Sequence, residues 1–155
     1  AREILSSSQS DSSHVLVPIG TGGTFAGIAA SIFSHQKLLG ISALKGEGIR
    51  DEITKLLRAE SIQTNGSIEL VTQYHQGGYA KWTAELISFI HWFWEKFDIP
   101  LDPIYTGKMA FACWDLLKKN HFPPGSRILM VHTGGLQGNR GFTQRTGIVL
   151  PTPVL

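Results

Sequence analysis

The sequence predicts an α/β fold: an open, mostly parallel sheet with helices on both faces. Three observations carry this expectation. Short apolar, β-branched runs alternate along the chain with longer segments whose apolar residues recur at helical spacing. The last short run, Ile128 to Val131, is apolar throughout, as a strand covered on both faces is. Glycine pairs follow three of the four predicted strands, at Gly22-Gly23, Gly77-Gly78 and Gly134-Gly135. Strands joined through helices run parallel, so all three pairs converge on the carboxyl edge of the sheet, where such folds bind ligands.

In chain order, residues 6–13 hold six serines and read as a connector or helix end, which makes 1–13 a segment apart from the α/β region 14–155. His14 to Ile19 is a β-branched apolar run closed by Gly20, and Ala26 to Lys37 then has helical spacing. Gly40 to Leu44 is a second, weaker strand. Ile49, Ile53, Leu56 and Leu57 mark a helix with charges between them, and Asn65-Gly66 turns the chain into a third strand, Ile68 to Thr72. Helices are predicted from Trp82 to Phe97 and from Lys108 to Asn120, the latter stopped by Pro123-Pro124-Gly125 before the fourth strand. Trp82, Phe89, Trp92, Phe93, Trp94 and Phe97 surround their helix instead of marking one narrow stripe, which is the pattern of core packing.

Composition excludes several classes of function. The chain has 155 residues, enough for one ordinary domain, with 42% hydrophobic and 17% charged residues, too few charges for a disordered segment. A net charge of +2 without a basic block is a poor footprint for a nucleic-acid binder. The longest strongly apolar run, Leu86 to Trp94, is interrupted by His91 and falls far short of the ~20 residues that span a bilayer. The lone cysteine, Cys113, cannot close an internal disulfide and is expected to be buried and inert, which fits a soluble, cytoplasmic protein. None of the six histidines has a partner at metal-ligand spacing. The start at Ala1, without Met or a signal-like region, and the high glycine content read as part of a longer protein.

The segment Gly20-Thr21-Gly22-Gly23-Thr24-Phe25-Ala26-Gly27 runs from a predicted strand into a predicted helix. Glycines there let backbone N–H groups turn toward an anion, and the helix start adds a favourable field. A dinucleotide fingerprint requires Gly or Ala where Phe25 stands, and a nucleotide P-loop requires Lys where Ile28 follows Gly27. What remains is a compact phosphate monoester, as in a phosphorylated cofactor or sugar.

With Gly77-Gly78-Tyr79, Asp102-Pro103-Ile104-Tyr105-Thr106-Gly107-Lys108 and His132-Thr133-Gly134-Gly135, this loop makes four ordered motifs. Together they resemble those of the pyridoxal phosphate enzymes that comprise 1-aminocyclopropane-1-carboxylate deaminases and D-cysteine desulfhydrases. The resemblance runs from about Val15 to Phe142 and matches the C-terminal half of a family member. It implies a fold type II architecture, similar to the tryptophan synthase β-subunit, and makes 14–155 the cofactor-binding region of a longer enzyme, a homodimer when complete. It further implies that Thr21, Gly22, Gly23 and Thr24 bind the phosphate of pyridoxal 5′-phosphate. Tyr79 and Tyr105 match the two tyrosines that flank the amino-acid substrate and are the catalytic candidates. Thr106 and Thr133 lie near the pyridine ring by the same resemblance, Lys108 is structural, and the Schiff-base lysine belongs to the half not present.

The deaminases carry Glu in the position of Thr106. A neutral hydroxyl leaves the cofactor a weaker electron sink, which suits expulsion of thiolate better than opening of a cyclopropane ring. The expectation is therefore D-cysteine desulfhydrase-like β-elimination to pyruvate, ammonia and sulfide, with 1-aminocyclopropane-1-carboxylate deamination or noncatalytic binding of a phosphate ligand as alternatives.

Overall fold

A computed structural model describes residues 11–46 and 48–152. Most of the serine-rich segment lies outside them. Four strands, β1 (His14–Ile19), β2 (Lys37–Ser42), β3 (Ser67–Val71) and β4 (Ile128–Met130), form one parallel sheet in the order β3-β2-β1-β4. The helices are α1 (Gly23–Ala29), α2 (Gly48–Ala59), α3 (Ala84–Phe97), α4 (Thr106–Lys118) and α5 (Gln137–Thr146). The predicted α/β class and parallel sheet are both present.

Alternation along β1 explains why both faces are covered. Val15, Val17 and Ile19 point to one side, where they pack with Phe25, Ile28 and Ala29 of α1 and Ile49 and Ile53 of α2. Leu16 points to the other, where Met109, Ala112, Cys113 and Leu116 of α4 cover it together with Leu39 and Ile41. Gly40 in β2 is required by this packing, since a Cβ there would stand 2.2 Å from Ile19 Cδ1 and 2.6 Å from the Phe25 ring. Outside α4, helix α3 and Phe142 of α5 build a third cluster around Leu86, Phe89, Ile90 and Phe93. The aromatic crowd of α3 is thus mainly core, with Trp92 meeting Trp114 of α4 at 4.6 Å between ring centroids. Trp82 and Phe97 remain exposed at its ends. Among the described residues no helix is long and apolar enough to cross a membrane.

Three elements differ from the sequence expectation. The first helix starts at Gly23 and ends at Ala29 instead of running to Lys37. Its continuation is diverted by polar side chains: Gln36 accepts from Phe33 N at 3.0 Å and donates to the Ser12 carbonyl and hydroxyl at 3.1 and 2.9 Å. Lys37 is thereby free to open β2 opposite His14, three residues before the predicted strand start. Helix α5 was not expected at all. It contains two glycines and buries only Asn139 and Phe142, so its apolar signal is a single aromatic residue, and its end is set by Gly147 at φ 73°. Finally, β4 is half-buried instead of fully covered, because it lies at the sheet edge.

Cys113 is 4% exposed in the α4 layer, and burial pushes its thiol up to about 11. The unfolded chain therefore loses this proton first, and stability falls as pH rises from about 9 toward 11. Chemical denaturation is expected to show a loss larger in wild type than in Cys113→Ala, by on the order of 1–3 kcal/mol.

Candidate functional site

The sheet order reverses between β1 and β4. Helices α1 and α2 follow β1 and β2 on one face, whereas α4 covers the other face and α5 packs in the cluster outside it. The chain segments leaving β1 and β4 therefore diverge, and the crevice between them is where open parallel sheets place their ligands. A cavity of about 310 Å³ lies there, lined by Pro18, Gly20 to Phe25, Tyr105, Thr133, Gly134, Gly135 and Gln137.

The β1 to α1 loop supplies one wall. Gly22 adopts φ 91°, and the first intrahelical bond runs from Ala26 N to the Gly22 carbonyl at 2.9 Å. The N–H groups before Ala26 are the ones a helix start leaves without intrahelical acceptors, and no acidic residue stands in this first turn. The two adjacent glycines do different work. A Cβ on Gly22 would meet Ile53 Cδ1 at 2.4 Å, so that glycine serves packing as well as backbone shape. A Cβ on Gly23 would meet nothing within 4 Å, so protein packing does not demand glycine there. Gly23 lines the cavity, and a side chain there would stand in open space at its wall.

The opposite wall comes from the β4 to α5 segment. His132 holds it, with Nε2 at 2.9 Å from the Pro100 carbonyl and Nδ1 accepting from Gly134 N at 3.2 Å. Gly134 and Gly135 follow with φ 85° and 91°. Gly135 also permits close approach, since its Cβ would stand 3.3 Å from Asp102 Oδ2.

Asp102 organises the start of α4 beneath this wall. Its carboxylate is 3% exposed and accepts from Ile104 N (2.8 Å), Tyr105 N (2.7 Å), Thr106 N (2.9 Å) and the Thr106 hydroxyl (2.5 Å). Four donors replace the water that a buried carboxylate gives up, and they fix the backbone that carries Tyr105. Burial raises the Tyr105 hydroxyl above the usual phenol range, helped by the neighbouring Tyr79. The two rings lie 6.3 Å apart between centroids.

Six of the eight residues expected at the site, Thr21, Gly22, Gly23, Thr24, Tyr105 and Thr133, line this one cavity. Tyr79 does not line it but joins it through Tyr105, and is 59% exposed. Thr106 is fully buried and does not line it either: its hydroxyl donates to Asp102 and accepts from Asp102 N at 2.9 Å. Gln137 belongs to the site and was missed with the helix that carries it. Asp102 was visible only as one letter of a motif, because its role depends on donors that the turn brings around it.

The donor set of the cavity is neutral: hydroxyls of threonine and tyrosine, one amide side chain and exposed helix-start N–H groups. Such a lining fits a dianionic phosphate monoester such as that of pyridoxal 5′-phosphate.

Residues 1–134 match the family described as pyridoxal-phosphate dependent enzyme. A Pyrococcus furiosus protein named "Putative 1-aminocyclopropane-1-carboxylate deaminase" is 35% identical over 133 residues, covering 80% of this chain and 40% of that protein. D-cysteine desulfhydrase of Klebsiella pneumoniae (strain 342) is 28% identical over 133 residues, again with 40% of its length matched. A solved structure, "Crystal Structure Analysis of the ACC deaminase homologue", superposes with a TM-score of 0.72 at 28% identity, covering 92% of this chain and 46% of that one. The chain spans about two fifths of the length of these curated relatives.

The glycine pair gives a paired expectation. Gly22→Val should destabilise the fold by roughly 1–3 kcal/mol through Ile53 and the left-handed backbone. Gly23→Val should leave stability within about 1 kcal/mol of wild type. It should nevertheless weaken pyridoxal phosphate binding at least tenfold, about 1.4 kcal/mol. Denaturation curves and cofactor titration check both; undiminished affinity in Gly23→Val would mean the loop is only a turn.

Proposed function

The chain belongs to the family of pyridoxal-phosphate dependent enzymes, and from that premise we propose that the protein of which it forms the cofactor-binding region is a D-cysteine desulfhydrase-like lyase. The reaction is β-elimination to pyruvate, ammonia and sulfide. The observation that carries this reading is the cavity between β1 and β4, walled by neutral donors and containing no carboxylate among its lining residues.

In this reading the backbone N–H groups of Gly22 to Thr24, with the hydroxyls of Thr21 and Thr24, hold the phosphate at the start of α1. Bound pyridoxal 5′-phosphate supplies an electron sink for the pair released at the substrate α-carbon. Thr133 would meet the cofactor from the cavity surface, whereas Thr106 stays behind the wall with its proton committed to Asp102. Neither side chain carries the charge that would ion-pair with a protonated ring nitrogen. A sink tuned this way favours departure of a good leaving group such as thiolate over rupture of a carbon–carbon bond.

Tyr105, half-buried at the cavity, and Tyr79 beside it flank the substrate and hold or pass a proton at their hydroxyls. The raised Tyr105 hydroxyl keeps its proton at neutral pH, so it serves as a hydrogen-bond donor in the resting site. Architecture of fold type II, a homodimeric assembly and a cytoplasmic location are part of the same reading.

All eight lysines lie among the described residues, and none lines the cavity. In this reading the lysine that attaches the cofactor covalently has its place in the portion of the relatives that this chain does not match. Borohydride treatment of the 155-residue chain with pyridoxal phosphate is expected to leave no specifically labelled lysine. A stoichiometric label on one of the eight would overturn that placement.

Product analysis tests the reaction itself. The whole loaded protein should form pyruvate and sulfide from D-cysteine at least tenfold faster than 2-oxobutyrate from 1-aminocyclopropane-1-carboxylate, a difference of about 1.4 kcal/mol in barrier. Tyr79→Phe and Tyr105→Phe should lower kcat more than cofactor affinity. Preference for the cyclopropane substrate would assign the protein to the deaminases named among its relatives instead.

A further inference from the structure

Lys108 is a fully buried amine outside the cavity, 1% exposed, and among the described residues no carboxylate is bonded to it. Its Nζ donates to the Gly78 carbonyl at 2.8 Å and the Ala43 carbonyl at 3.3 Å. Burial lowers its proton affinity to a pKa of about 8, with the nearby Asp102 opposing the shift. An aliphatic side chain would fill this place without that desolvation, so what the amine adds is its hold on two carbonyls.

What it holds is an unusual loop. Between β3 and α3, Gln76, Gly77, Gly78 and Ala80 all have positive φ, at 55°, 98°, 122° and 54°, two of them on residues with a Cβ. Such a backbone persists where surrounding contacts over-determine it. Local bonds shape the loop itself: Gly77 N donates to His75 Nδ1 at 2.9 Å, Gly78 N to the His75 carbonyl at 3.0 Å, and Lys81 N to the Gly78 carbonyl at 3.1 Å. Lys108 ties that same Gly78 carbonyl to α4, and through Ala43 to the end of β2. The next residue is Tyr79, whose ring faces Tyr105 three positions before Lys108.

The geometry points to Lys108 as a positioning residue, whose amine clamps the Gly77 to Ala80 loop and thereby sets the Tyr79 ring against Tyr105. This rests on the reading of the two tyrosines as the pair flanking the substrate. One helix then carries both halves of the alignment: Asp102 fixes Tyr105 at its start, and Lys108 fixes Tyr79 one turn further on.

The chain contains three tyrosines, Tyr74, Tyr79 and Tyr105, so incorporation of 3-fluorotyrosine gives three fluorine resonances, assigned by Tyr→Phe variants. Tyr74 serves as the internal control, because its hydroxyl bonds Asp115 at 2.6 Å and its ring packs on Phe111, both on α4. In Lys108→Met the Tyr79 and Tyr105 resonances should shift while Tyr74 stays, and trypsin cleavage after Lys81 should accelerate at least tenfold. Lys108→Gln, which keeps a donor, should show both effects in smaller measure, and it is the variant read if Lys108→Met does not fold. Unmoved Tyr79 and Tyr105 resonances in a folded variant, or all three moving together in both variants, overturns the assignment. These readouts need no bound cofactor. Absence of lyase turnover in the loaded protein would sink the proposed function and leave this inference standing, whereas an unmoved Tyr79 removes the inference whatever the turnover.

Discussion

Everything at the site depends on one constraint: the four strands are parallel and their order reverses between β1 and β4. Parallel strands deliver every exit loop to the same edge, and right-handed crossovers then put successive helices on one face until the order changes direction. At the reversal the neighbouring loops part to opposite sides. The resulting crevice costs no packing, because it is a consequence of the connectivity itself. Val15, Leu16 and Val17 of β1, fully buried from both sides, are what keep that connectivity in register.

Two buried charges then stiffen the crevice. Asp102 and Lys108 both belong to the entry into α4, and both are satisfied almost wholly by backbone groups. Each charged group is expensive to bury and worth retaining only where it gathers several partners at once. Asp102 gathers the turn that carries Tyr105, and Lys108 gathers the ends of two loops that the sheet alone leaves apart. Removing either partner set would strand a charge in the interior, so the arrangement is held by a penalty against opening as much as by the bonds themselves.

The glycines divide along the same line. Gly22 and Gly40 are dictated by neighbouring side chains of the protein, Ile53 in one case and Ile19 with Phe25 in the other. Gly23, with open space where a Cβ would be, is dictated by nothing in the chain's own packing. A motif of consecutive glycines therefore contains one that the packing requires and one that it does not, and only the surrounding atoms separate them.

The sequence by itself determined the fold class and the edge of the sheet that matters, because both follow from local signals. Strand and helix periods are read within a few residues of one another, and β1 is observed at the bounds its apolar run predicts. The four motifs likewise named Thr21 to Thr24, Tyr105 and Thr133, which the structure brings to one cavity. Only the tertiary structure decided that α5 exists, since a helix with one large buried side chain draws its stability from packing on α3 and α4 and shows no periodic signal of its own. It also decided that Thr106 turns inward to Asp102 while Thr133 faces the cavity, although both are threonines in glycine-flanked motifs. And it decided what Lys108 does, because its partners stand 30 and 65 residues away and are backbone carbonyls, groups that every residue has and no sequence pattern can single out.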